Sequence, residues 1–72
     1  MQTDGDIKVI GKRVKRLRIE SGFSKAQLAR NAKVSISTLN QLERGVGNPL
    51  LSTLYRLSMS LNTKLHILCK DT

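Results

Sequence analysis

The stretch SKAQLARNAKVSISTLNQLERG, Ser24 to Gly45, holds two short helical patterns that meet at Lys33-Val34. The first opens with Ser24-x-x-Gln27, the spacing of a capping box, in which each side chain satisfies the other residue's backbone N–H. Leu28, Ala29 and Ala32 form its inward face. The second begins at Ser35, a favoured N-cap, and runs to Gly45. At about 100° per residue, Leu39 and Leu42 point inward, while Ser37 and Arg44 point nearly opposite, flanked by Asn40 and Gln41. Ile36 sits at the edge of the exposed side. Amides and hydroxyls in the first turns of an exposed helix match base edges in a major groove. Asn or Gln can bond adenine bidentately, Ser serves several bases, and an apolar side chain can touch a thymine methyl. In this reading Arg44 reaches a phosphate. The same residues also fit an ordinary polar surface with one exposed Ile.

Upstream, Ile7, Ile10, Val14 and Leu17 recur at helical spacing, which predicts a helix over 7–21 ending at Gly22. Arg18 falls on the same side as these apolar residues. A buried arginine without a partner is costly. Glu43 lies at the margin of the third helix's inward face, one turn from Leu39, so an Arg18–Glu43 ion pair inside the domain is expected. The alternative is that both side chains reach solvent separately. Lys8, Lys12, Lys15 and Arg16 lie away from the core and can meet phosphates or simply form a solvated face. Downstream, GVGNP reads as a loop. A fourth helix begins near Pro49 to Leu51 and carries Leu54, Leu57 and Leu61. The end, TKLHILCK, alternates Leu65, Ile67 and Cys69 with Lys64, His66 and Leu68. Period two predicts a strand. A lone strand in a helical monomer needs a partner, which a two-fold dimer supplies from its own copy. The expected organisation is therefore a loose tail over 1–6, a helical domain over 7–62 and a dimerising strand over 63–72.

With 72 residues there is room for one small domain of modest stability. Lys plus Arg number 13 against 5 acids, a formal net charge of +8, which points to a polyanionic partner. One Phe, one Tyr and no Trp offer neither a stacking platform for single-stranded bases nor anchors for a membrane helix, leaving duplex backbone as the favoured partner. A single cysteine excludes an internal disulfide and suggests a reducing compartment. The apolar runs are too short to span a bilayer, and MQTDGDIK lacks the basic-then-apolar order of a signal peptide. His66 and Cys69 fall on opposite faces of the expected strand, and the chain has no other His or Cys to complete a zinc site. No acid–base cluster or Gly-rich phosphate loop accompanies them. No catalysis, metal or cofactor is expected, and Cys69 reads as a small apolar residue of the strand.

The region from Ile10 to Leu61, carried by KRVKRLRIESGFSKAQLARNAKVSISTLNQLERGVGNPLLSTL, resembles the Cro/repressor-type (Xre) helix-turn-helix family. Ala29 matches the small residue at the close approach of the two motif helices. Val34, Leu39 and Leu42 match its apolar positions, and LERG and NP match its following loop. Arg18 and Glu43 fall where phage repressors of this family carry a buried pair. The resemblance implies that Ile36, Ser37, Asn40 and Gln41 face bases. It also implies that Ser24, Lys25, Arg44 and Asn48 meet the DNA backbone, with half-sites about 34 Å apart. Lys33 departs from the glycine usual before Val34. It should strain a left-handed turn by about 1–2 kcal/mol and add a charge near the groove. The loop GVGNPLL lacks the basic residues that some phage repressors place there. The ending TKLHILCK looks like the C-terminal strand of HipB-type antitoxins, which pair it with its copy; Leu65, Ile67 and Cys69 would then dimerise.

Together these readings predict an all-α, four- to five-helix, lambda-repressor-like domain with a short C-terminal β-strand paired across a homodimer. Its expected role is a sequence-specific duplex-DNA regulator, a repressor on a palindromic operator, in a bacterial or phage-encoded cytoplasmic setting on the nucleoid. A second reading is an antitoxin that binds a toxin protein and autoregulates its operon. A third is a sequence-independent nucleic-acid binder relying on charge alone.

Overall fold

The computed structural model describes residues 7–69, and five helices account for its regular structure. The expected tail over 1–6 lies outside them, as do Lys70 and the two residues after it. Helix α1 spans Ile7–Glu20, α2 Lys25–Ala32, α3 Ile36–Glu43, α4 Leu51–Ser60 and α5 Leu65–Cys69. Helix α1 packs on α3 and α5, α2 on α3 and α4, and α4 on α5.

The core forms where the apolar faces of all five helices meet. Val14, Leu28, Leu39, Leu57 and Leu68 are fully buried, with Ile10, Ala29, Ala32, Leu42, Leu54 and Leu61 around them. Each such leucine stabilises the fold by about 1.5–3 kcal/mol relative to leaving it in water. Ile7, Leu17, Phe23, Val34, Leu65 and Cys69 seal the margins. Gly11 lies in the α1–α3 seam, where a Cβ would overlap the carbonyl oxygen of Leu42, so a larger residue would push α3 off α1. This glycine sits in mid-helix, where it costs about 0.5–1 kcal/mol against alanine, and only the tight seam explains it.

The C-terminal segment overturns one expectation. Residues 65–69 are helical, and no strand occurs among the described residues. The alternation of Leu65, Ile67 and Cys69 is also compatible with helical spacing at Leu65, Leu68 and Cys69. Those three turn inward together: Leu68 is fully buried, and Leu65 and Cys69 pack on the core. Ile67 is left outside, 39% exposed. From α1, Arg13 reaches across and donates through Nη1 to the carbonyl of Leu68 at 3.3 Å. Leu65, Ile67 and Cys69 therefore do not share one strand face as expected, and the described residues give no HipB-type strand.

Candidate nucleic-acid interface

The two helices of the Ser24–Gly45 stretch are built as independently capped units. Ser24 Oγ accepts from the Gln27 backbone N–H at 3.0 Å, and Gln27 Oε1 accepts from the Ser24 backbone N–H at 2.8 Å. At α3, Ser35 Oγ accepts from the Thr38 N–H at 3.0 Å and donates to Thr38 Oγ1 at 2.8 Å. Each such cap contributes about 1 kcal/mol. Neither helix has an acidic residue in its first turn. The positive ends of their dipoles are therefore not neutralised from within, which favours an anion outside.

Between the helices the chain turns at Lys33, with φ 59 and ψ 43, in the left-handed region. Val34 donates to the carbonyl of Ala29 at 3.0 Å, closing the turn. A lysine held there costs about 1–2 kcal/mol relative to an unstrained conformation. Lys33 also lines a groove with Asn31, Tyr55, Arg56 and Met59, between the end of α2 and α4.

Helix α3 is anchored from behind. Arg18 donates through Nε to Glu43 Oε2 at 2.7 Å and through Nη2 to Oε1 at 3.1 Å, a bidentate pair. Its Nη1 donates to the carbonyl of Phe23 at 2.9 Å, on the segment leading into α2. The side chains are 11% and 2% exposed, so water competes little. One guanidinium thus ties α1 to α3 and to the entry of α2.

With Leu39 and Leu42 buried behind it, α3 turns the opposite face outward. Ile36 is 47% exposed; Ser37 and Gln41 are exposed, Arg44 caps the helix end in solvent and Asn40 is half-buried. Ser24 and Lys25 are exposed at the start of α2. Asn48 shares a depression of about 170 Å³ with Gln41, Thr38 and Pro49, which brings the loop beside the helix. Gly47, which the sequence reading passed over, lies against Gln41 in the same loop. The second glycine of GVGNP was the available signal. Of the α1 cations, Lys12 and Lys15 are exposed and Arg16 stands 3.9 Å from Glu20. Lys8 lies along Gly45.

Among the described residues no group of three or more His, Cys, Asp or Glu side chains comes together. Burial pushes the Cys69 thiol up, with Arg13 pulling weakly the other way, so the group stays a neutral thiol. No described helix is long and apolar enough to cross a membrane.

Comparison with known proteins agrees with this architecture. The model of the helix-turn-helix family HTH_3 matches residues 14–68. The HTH-type transcriptional regulator SinR of Bacillus subtilis is 38% identical over 64 residues, 88% of this chain and 58% of that protein. The chain thus spans little more than half the length of that relative. The solved N-terminal DNA binding domain of SinR from Bacillus subtilis superposes with a TM-score of 0.85 at 35% identity, covering 90% of this chain and 96% of that one. SinR solved in complex with DNA, described as the master regulator for biofilm formation, gives 0.78 at 38% identity, covering 82% and 95%. The family match takes in α2, α3, α4 and most of the core, and on it the chain belongs to the helix-turn-helix family.

Proposed function

We propose that this chain is a DNA-binding transcriptional regulator that reads duplex DNA with α3 in the major groove. The observation that carries the reading is the outward face of α3. Ile36, Ser37, Asn40 and Gln41 stand on one side of a helix whose other side is locked down by Leu39, Leu42 and the Arg18–Glu43 pair. Ser24 and Lys25 at the start of α2, Arg44 after α3 and Asn48 in the loop are suited to hold phosphates on either side of the groove. Lys33, from its groove beside α4, adds positive charge near the backbone. The solved SinR–DNA complex supports this use of the fold.

Repression through a two-fold operator is the form of regulation we assign. An eight-residue α3 spans only a few base pairs. Each well-made bidentate contact discriminates by about 1–3 kcal/mol. Picking one site from a genome needs about 4–10 kcal/mol over non-specific binding. Two copies on half-sites about 34 Å apart reach that range where one does not. A bound dimer then blocks RNA polymerase at an overlapping promoter. The antitoxin reading rested on the C-terminal strand and has no observation in its favour now that α5 is a helix.

The test is selection of sites from a random duplex pool near physiological salt, followed by titrations. A two-fold symmetric site with one-turn half-site spacing is expected. Asn40→Ala and Gln41→Ala should each weaken that site by about 1–3 kcal/mol while leaving random-sequence DNA unaffected. Salt-sensitive binding with no enriched sequence would mean that charge alone carries the interaction, and the regulator reading would fall.

A further inference from the structure

We infer that Gly47 is a positioning residue for Gln41 and that, through it, the loop after α3 sets which base Gln41 prefers. The inference rests on α3 being the base-reading helix.

Gly47 sits at φ +93, a left-handed conformation. A Cβ built on it would stand 3.3 Å from Gln41 Oε1, 3.7 Å from Gln41 Cβ and 4.0 Å from Gln41 Cδ. All three nearest atoms belong to one side chain, so the bare α-carbon of Gly47 leaves the Gln41 carboxamide the space that a side chain at 47 would press on. The preceding residue fixes the main chain of the same glutamine: the Val46 N–H donates to the Gln41 carbonyl at 2.9 Å. Val46-Gly47 therefore holds Gln41 at its backbone and leaves room beside its side chain. A carboxamide reads adenine by presenting its oxygen and its NH₂ together to one base edge. A Cβ at 3.3 Å obliges Oε1 to give by a few tenths of an ångström, which shifts the carboxamide from the place where it would present that pair.

Any side chain at 47 brings two effects, and the molecule contains a control that separates them. Gly22 has φ +80, yet a Cβ there would meet nothing within 4 Å. Gly22→Ala thus introduces left-handed strain alone. Gly47→Ala introduces the strain and also pushes Gln41. Gly47→Asn places the same Cβ with less strain, because asparagine tolerates the left-handed region, and it secures the test should the alanine variant fold poorly.

The experiment uses the full 72-residue chain. Base preferences are measured at every operator position for the parent, Gly22→Ala, Gly47→Ala, Gly47→Asn, Gln41→Ala and the Gln41→Ala/Gly47→Ala double variant. Gln41→Ala should flatten the preference at one position of each half-site. Gly47→Ala and Gly47→Asn should reduce discrimination there by about three- to tenfold. The double variant should match Gln41→Ala at that position, and Gly22→Ala should match the parent at all positions. If Gln41→Ala flattens a position while both Gly47 variants leave it intact, Gly47 does not position Gln41. Additive losses in the double variant would also overturn the inference, because Gly47 would then act without Gln41. If Gln41→Ala flattens no position, the assignment of Gln41 as a base reader has itself failed.

Discussion

Arg18 ties three elements together through one side chain. Its guanidinium bonds both carboxylate oxygens of Glu43 and a carbonyl on the way into α2, in a space where the carboxylate is 2% exposed. A buried pair of this kind contributes little net stability over a hydrophobic replacement, but breaking it from one side is severe. Glu43→Ala should cost about 3–5 kcal/mol, against a total of about 5–15 kcal/mol for ordinary domains. Urea unfolding of Arg18→Met/Glu43→Leu should recover most of that loss. If Glu43→Ala melted like the parent, the pair would have no structural role. The pairing was legible because two charges fell on two inward faces, and each face demanded a partner. Gly47 was not legible. Nothing in GVGNP states which side chain its α-carbon will cover, since that depends on how the loop folds back over α3.

At the level of the helix, the sequence announces starts more clearly than ends of other kinds. Ser24 and Ser35 each accept a backbone N–H as their residue types suggest. Helix α4 differs: Leu50 stands at its N-cap with φ −73 and ψ 151, makes no side-chain cap bond and is 70% exposed. A leucine there leaves a first-turn N–H to solvent. Leu50→Ser should stabilise the domain by about 0.5–1 kcal/mol, visible as a higher thermal midpoint; an unchanged or lower midpoint would show that Leu50 already serves another contact. The misreading of α5 belongs to this scale too. In a run as short as Leu65–Cys69, alternation and helical spacing select overlapping residues. What decides between them is a core position for Leu68 and a hydrogen bond from Arg13, both supplied by elements far away in the chain.

Across the whole molecule, charge and patterning expose the class of partner but not the assembly. The excess of 8 positive charges is a property of composition. Which surfaces would meet in the proposed dimer is a property of shape, and no spacing in the chain encodes it. The helix-turn-helix pair itself is almost entirely local, with α2 and α3 adjacent in sequence and separately capped. The anchors behind it, among them Arg18 to Glu43 and Gly11 against Leu42, span a long stretch of chain.

The bond from Arg13 to the Leu68 carbonyl joins residues 55 apart in sequence, and it holds a helix of five residues that is too short to persist alone. Helix α5 is therefore a latch rather than a pillar. In native-state hydrogen exchange, amides of α5 should open with a lower free energy than those of Leu28 and Leu39, through a sub-global event that leaves α2 and α3 closed. Equal opening energies would make the domain a single cooperative unit. If the latch opens first, the helix-turn-helix half of the protein keeps its form while the remainder breathes. Damage confined to α5 would then shorten the protein's lifetime against proteases long before it altered the sequence being read.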